Sequence, residues 1–163
     1  MTARRLPRWA ERARFVLLLS VNIGAVQPVL PDGFRFPAPG EISGRSQLIA
    51  DFDGDAIDDE VGILLAERGP GWVVVVRISS QRRDGYIRLE EGDDLPETLR
   101  LTVIPPGIHR TLCATQPRRC QPGEPRSLDL QRPAVGLTQT EGATAYFWWS
   151  PSAGTFSRTW ISD

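Results

Sequence analysis

Four aspartates and one backbone carbonyl are spaced to bind a cation between residues 51 and 59. Asp51, Asp53, Asp55 and Asp59 stand at positions one, three, five and nine of this segment, and Ile57 offers its carbonyl at position seven. A tightly wound loop turns alternate residues inward, so the spacing predicts hard oxygen ligands converging on one point. Ca²⁺ takes about six to eight such ligands, with water filling the gaps. Without a cation the inward carboxylates would repel one another, so the loop itself argues for a bound one. The alternative is a solvated acidic turn with no metal.

The loop is not an EF-hand, because Ala56 and Gly62 stand where an EF-hand needs Gly at position six and Glu at position twelve. It resembles instead the Asp-x-Asp-Gly-Asp-x-x-Asp-Asp loop of the FG-GAP and VCBS repeats. In those repeats a strand, a calcium loop and a second strand form part of a propeller blade. The four aspartates match this pattern, Gly54 matches its fourth-position glycine, and Ala56 replaces its usual glycine at position six. We therefore expect a strained left-handed turn at Ala56, and a weaker site.

This resemblance covers about residues 47–79, and the motif occurs once in the chain, which excludes a propeller made of such repeats. The remainder is similar, more loosely, to small secreted proteobacterial proteins with one calcium loop, a short disulfide and an aromatic final hairpin. Relatives with a single VCBS-like loop include periplasmic inhibitors of lysozyme and immunity proteins against toxins that degrade peptidoglycan. The resemblance therefore implies a periplasmic binding protein of a Gram-negative bacterium.

The overall charge balance of 19 basic and 20 acidic residues hides two unlike parts of the chain. Five arginines and one acid, Glu11, lie in the first fourteen residues, and the apolar run 15–26 follows. This order is typical of a secretory signal peptide over residues 1–25, although an amphipathic helix or a misplaced start codon would leave the same pattern. The run is too short for a membrane span of about 20 residues. Without residues 1–25 the chain has 14 Arg and 19 acids, a net charge of −5.

Export determines how the two cysteines are interpreted. In an oxidising compartment Cys113 and Cys120, with six residues between them in a loop that contains proline, are expected to form a disulfide. A zinc site lacks further ligands, since His109 is the only histidine, and the Cys-x-x-Cys motif of redox enzymes is absent.

No set of residues favours catalysis. His109 is the only histidine to serve as a base, and beside Arg110 at a strand end it is better explained as an ordinary polar residue. A glycosidase needs two carboxylates, but the acids at positions 90, 91, 93 and 94 surround Gly92 and favour a solvated loop. The absence of a strong basic excess argues against nucleic acid as a partner. We therefore expect a binding protein and not an enzyme.

The strands that must position the loop are short, separated by Gly and Pro, and show no helical periodicity. The predicted strands are residues 47–52, 61–66, 72–79, 86–90, 99–104, 145–150 and 155–161. Residues 151–154 are expected to form a hairpin turn. The prediction is an all-β protein of antiparallel sheets, propeller-blade-like or sandwich-like, with the calcium loop between two strands. Residues 26–44 form an extended lead-in, and residues 45–163 form one β domain.

Tryptophans near the C-terminus are the candidate partner surface. In a strand, Trp148 and Trp149 face opposite sides, so one packs in the core and the other meets a second layer or solvent. Exposed indoles of Trp148, Trp149 and Trp160 would suit a protein partner or a sugar ring. The sequence thus favours a calcium-stabilised inhibitor or immunity protein against a cell-wall-degrading enzyme or toxin. The alternative is a calcium-stabilised adhesion or glycan-binding module.

Overall fold

The computed structural model describes residues 29–81, 85–96, 98–120, 122–139 and 143–162. The predicted signal peptide, residues 1–25, lies outside the described residues. Within them, the elements are β1 (Phe34–Arg35), β2 (Gln47–Ala50), β3 (Asp59–Ala66), β4 (Trp72–Arg77), β5 (Ile87–Gly92), β6 (Arg100–Ile104), β7 (Gly107–Arg110), the helix α1 (Leu112–Thr115), a 3₁₀-helix (Pro117–Arg119), β8 (Ser127–Leu130), β9 (Ala134–Thr138), β10 (Thr144–Ser150) and β11 (Thr155–Ser162). The prediction of an all-β fold of antiparallel sheets is confirmed.

The first sheet contains β3 at its centre, flanked by β4 and then β5 on one side. On the other side of β3, β2 pairs with residues 59–62 and the short β1 pairs with residues 65 and 66. β4 is a run of four valines after Trp72, and β-branched side chains favour this extended, packed conformation. β1 lies inside the predicted lead-in, so that segment joins the sheet rather than only preceding it.

The second sheet has the strand order β11–β10–β9–β6, and β7 pairs with β8 as a separate hairpin. β10 and β11 form the predicted C-terminal hairpin, in which the amides of Ala153 and Gly154 donate to the carbonyl of Ser150. Gly154 has a φ of 62°, a conformation that glycine adopts without a steric penalty. β8 and β9 were not expected from the sequence, because both are short and β9 contains a glycine.

The two sheets bury their facing side chains in one core, which makes the fold sandwich-like. β2, β3 and β4 contribute Leu48, Val61, Ile63 and alternating residues of β4, and the second sheet contributes Leu137 and Phe147. The outer face of the first sheet is also covered, since Leu64, Val73 and Val75 pack against Leu30, Phe34 and Tyr86. Burial on both faces explains why β3 and β4 are apolar almost throughout.

The predicted disulfide is confirmed. Cys113 in α1 and Cys120 after the 3₁₀-helix are joined by an S–S bond of 2.05 Å, with the Cα atoms 4.6 Å apart. Among the described residues, no helix has the length and apolar character needed to cross a bilayer.

Candidate metal centre

The acidic loop joins two neighbouring strands of the first sheet. β2 ends at Ala50, β3 begins at Asp59, and these two residues are paired in the antiparallel register. Inside the loop, the side chain of Phe52 is fully buried in the core. This aromatic residue fixes one end of the loop to the core, while its acidic neighbours remain at the edge of the sheet.

Three of the predicted ligands come together. One carboxylate oxygen from each of Asp51, Asp53 and Asp59 lies within 4.8 Å of the others. Calcium–oxygen distances are about 2.3–2.6 Å, so ligand atoms on opposite sides of one Ca²⁺ are about 4.6–5.2 Å apart. The three oxygens therefore fit around a single cation. Hard carboxylate oxygens are the ligands that such a cation prefers, so this cluster can hold a metal ion.

Asp59 is the buried member of the cluster. Its side chain is excluded from solvent, and its Oδ2 accepts hydrogen bonds from the amides of Phe52 (2.9 Å) and Asp53 (3.3 Å). Oδ1 accepts from the amide of Ser79 at 2.9 Å. Burial raises the pKa of Asp59 above its ordinary value and the charge of Asp53 adds to this, while the three amide donors act in the opposite direction. The three amides therefore fix the orientation of this carboxylate, but they do not supply a positive charge to balance its own.

Asp51 and Asp53 are held by the backbone of the loop itself. Asp51 Oδ1 accepts from the amides of Gly54 (2.6 Å) and Asp55 (3.1 Å), and its Oδ2 accepts from Ala56 (2.9 Å). Asp53 accepts from the Asp55 amide at 3.1 Å and, through Oδ2, from the Ser80 hydroxyl at 2.8 Å. Each carboxylate has about four lone-pair sites, so these bonds leave acceptor capacity for a cation. Such bonds to ligand carboxylates fix their direction, as supporting residues do in metal sites.

Asp55 and Ile57 are not part of this group of three. The carboxylate of Asp55 is exposed, and its Oδ1 accepts from the amide of Ile57 at 2.8 Å. Their roles as the carboxylate and carbonyl ligands at positions five and seven stay predictions.

The presence of Ala56 at position six, where the repeats usually have glycine, has the expected structural consequence. Ala56 has a φ of 68° and is the one described residue other than glycine with a positive φ. A left-handed conformation brings the Cβ of an L-residue close to the following carbonyl, at a cost of about 1–2 kcal/mol. The loop therefore closes around its three carboxylates in a strained conformation.

An arginine that sequence reasoning missed reaches the loop from the connection between β8 and β9. Arg132 donates a hydrogen bond from Nη1 to the carbonyl of Asp53. Its guanidinium also occupies the space beside Gly54, where an added Cβ would lie 2.7 Å from Arg132 Cζ. Gly54 has a φ of 83°, a conformation that favours glycine, whereas the guanidinium is the end of a flexible side chain that could shift. No local signal indicates Arg132, which is 79 residues away in the chain.

Ser79 and Ser80 were also missed as supporting residues, although Ser79 ends the predicted strand 72–79 and Ser80 follows it. β4 pairs with β3 in antiparallel register, so the end of β4 returns to the beginning of β3. Ser79 thereby donates its amide to Asp59, and its hydroxyl donates to the Asp58 carbonyl at 2.5 Å. The strand pattern could have found both serines, had the pairing of β3 with β4 been assumed.

A second group of metal-ligand types, Cys113, Cys120 and Glu124, lies in the loop after β7. Both sulfurs are joined in the disulfide, so neither is a thiolate, and this group is not a metal centre.

The candidate partner residues lie in different surroundings. Trp149 and Trp160 are half-buried against the main core, and Trp149 meets Phe156 edge to face with ring centroids 5.4 Å apart. Trp148 is half-buried on the opposite face, against the cluster that contains Leu128. The alternation predicted for β10 is therefore present, with both faces of the strand packed in part and exposed in part.

The residues considered for catalysis make contacts within the fold. His109 lies in β7, with Nε2 3.0 Å from the Pro105 carbonyl and its ring edge to face with Tyr146. The expectation of a solvated loop is wrong for Glu90, which ends the predicted strand 86–90, and for Glu91, because both lie in β5. Glu90 pairs there with Arg158 of β11, in the other sheet, at 2.9 Å. Burial raises the pKa of Glu90, and the charge of Arg158 opposes this.

Comparison of the chain with known protein families, with curated proteins and with solved structures finds no significant match. The class of molecule is thus defined by its own geometry. It is an all-β, sandwich-like fold with a three-carboxylate loop at one end of the first sheet, between β2 and β3.

Proposed function

We propose that the protein is exported and binds a secreted cell-wall-degrading enzyme or antibacterial toxin, as an inhibitor or immunity protein, with a structural calcium ion in the acidic loop. The observation that carries this proposal is the loop itself. Its carboxylates match the pattern of single-loop secreted proteins, and it lies in a β fold that also has the short disulfide of that group. A disulfide supports export because such bonds persist in oxidising compartments.

Calcium is the proposed occupant because the donors are all hard oxygens and carry three negative charges. Magnesium needs near-ideal octahedral geometry and keeps several waters, whereas calcium accepts an irregular set of carboxylates. Bound there, calcium would join β2 and β3 through Asp51 and Asp59, and would also hold the end of β4 through the Ser79 amide. Its role is therefore to stabilise one end of the first sheet and not to take part in a reaction.

Net charge supports a basic partner. The chain without residues 1–25 carries a net charge of −5. Enzymes that act on the anionic cell wall are commonly basic, and opposite charges raise the association rate. A wall-degrading hydrolase is therefore the partner that we propose.

A groove next to the loop is the proposed docking surface. It has a volume of about 210 Å³ and is lined by Phe36, Ile49 and Tyr86, together with Glu60 and Gly62. Ile49 is 67% exposed and Phe36 is 42% exposed, which is unusual for large apolar side chains. Ile49 and Glu60 are paired in β2 and β3, one residue from the loop on each strand. A large apolar side chain of the partner would fill this groove, and calcium would hold its walls in position.

The test is affinity capture with the full-length tagged chain from a periplasmic extract of the producing cell, followed by a turbidity assay of wall lysis by the captured enzyme. We expect capture of a hydrolase whose activity the chain reduces, and loss of capture by Ile49→Asp. Ile108→Asp is the matched control, because Ile108 is 78% exposed but lies in β7, outside the groove. Recovery of polysaccharide without a hydrolase, or equal capture by both variants, would contradict the proposal.

A further inference from the structure

A cavity of about 160 Å³ lies where the connection between β8 and β9 meets the end of β10. Leu130, Trp148, Trp149 and Pro151 line its apolar part, and Asp129, Gln131 and Arg132 line its polar part. Trp148 and Leu130 belong to one apolar cluster, whereas Trp149 leaves β10 on the opposite face. The cavity is distinct from the groove proposed for the protein partner, with which it shares no lining residue.

The walls of this cavity are held in position by the rest of the fold. Trp149 packs edge to face against Phe156, and Trp148 packs against the cluster containing Leu128 and Leu130. Arg132 is tied to the Asp53 carbonyl of the metal loop. A ligand would therefore find side chains that are already ordered, which reduces the entropy lost on binding.

The combination of groups selects the chemistry of the ligand. An apolar side chain would suit Trp148 and Leu130, but it would remove the exposed Asp129 and Gln131 from water without replacing their hydrogen bonds, which is costly. An ion of either sign would face a like charge, because Asp129 and Arg132 carry opposite charges. A pyranose ring has an apolar C–H face, and its hydroxyls both donate and accept hydrogen bonds. We propose that this cavity binds one ring of a neutral saccharide, a role that goes beyond the binding of a protein partner.

Arg132 connects this saccharide site to the metal loop. Its guanidinium lines the cavity and also lies directly over Gly54, with a hydrogen bond to the neighbouring Asp53 carbonyl. The conformation of the loop therefore sets the position of a polar group in the saccharide site. Calcium, by ordering the loop, would strengthen saccharide binding without touching the sugar.

The test is a two-dimensional NMR titration of the ¹⁵N-labelled chain in calcium with tetra-N-acetylchitotetraose and, separately, cellotetraose. We expect a saturable shift of the indole N–H signal of Trp148 with at least one of the two sugars. The signal of Trp72 serves as an internal control, because this indole is buried and donates to the Asp94 carbonyl at 2.9 Å. A chelator should weaken binding several-fold.

Gln131→Ala is expected to weaken binding by about tenfold, the ratio that corresponds to about 1.4 kcal/mol. Gln47→Ala, at an exposed glutamine of β2, is the matched control and should bind as the parent chain does. Melting curves of both variants exclude misfolding as the cause. The absence of saturable shifts with both sugars, shifts confined to Trp160, or unchanged binding by Gln131→Ala would each overturn the site, and equal affinity in calcium and in chelator would overturn the link to the loop.

Discussion

Removal of calcium is expected to destabilise the protein through repulsion between carboxylates. Two unit charges 4.8 Å apart repel by about 3.5 kcal/mol at an effective dielectric constant of about 20. Solvent reduces this value at the half-exposed Asp51 and Asp53 more than at the buried Asp59. A bound cation attracts all three carboxylates, and this attraction outweighs the repulsion between them. With calcium at about a hundredfold excess over its dissociation constant, the stabilisation is about 2.7 kcal/mol. For a chain of this length that corresponds to a melting temperature about 10 °C higher.

Asp59→Asn separates the metal role of this residue from its structural role. The asparagine oxygen can still accept from the Phe52 and Asp53 amides, but its NH₂ group would then face the Ser79 amide. One buried N–H loses its acceptor, at a cost of about 1–3 kcal/mol, while the repulsion from Asp51 and Asp53 disappears. In chelator the two effects oppose each other, so the variant should melt within about 5 °C of the parent chain. In calcium, loss of a charged ligand should reduce the calcium-dependent increase in melting temperature by at least half.

The assay is circular dichroism melting of both chains in calcium and in chelator, with Asp93→Asn as the control at an exposed aspartate outside the loop. The control should keep the full calcium-dependent increase. An increase below about 2 °C in the parent chain would refute calcium binding. An equal increase in the parent and in Asp59→Asn would refute the role of this carboxylate as a ligand.

Three further measurements test other parts of the structure. Ala56→Gly should relieve about 1 kcal/mol of strain at φ 68° and raise the free energy of unfolding by about that amount in denaturant titration; unchanged or lower stability would argue against that strain. Replacing Cys113 and Cys120 by serine should cost about 2–3 kcal/mol in the free energy of unfolding measured by denaturant titration, because a cross-link is lost, and no change would contradict this. Hydrogen bonds from Arg35 and from a backbone amide lower the pKa of Glu41 to about 2, from 4.5. Because the folded pKa lies below the unfolded one, this stabilisation is complete above about pH 4.5 and is lost as the pH falls towards 2. Glu41→Gln should therefore lose less stability between pH 5 and about 3 in denaturant titrations, and parallel pH profiles would count against the ion pair.

Much of the fold could be predicted because its signals are local. The valines of β4 and the turn at residues 151–154 depend on backbone conformation and nearest neighbours, and both were found. β9 could not be found in this way. Its five residues are buried because they lie between β6 and β10, and that position depends on pairing with distant strands. Glu90 was misjudged for the same reason, since its partner Arg158 belongs to the other sheet.

The sequence by itself determined that several carboxylates can converge in one loop, because the aspartates stand at alternate positions of a tight turn. The structure decided that Asp51, Asp53 and Asp59 meet while Asp55 stays exposed. The sequence also determined the disulfide, because two cysteines close in the chain have few other partners. Only the tertiary structure decided that Asp59 is buried, that the Ser79 amide arrives from 20 residues away, and that Arg132 joins the loop to an indole-lined cavity. Spacing along the chain controls local geometry, whereas burial and long-range contacts depend on how the two sheets pack.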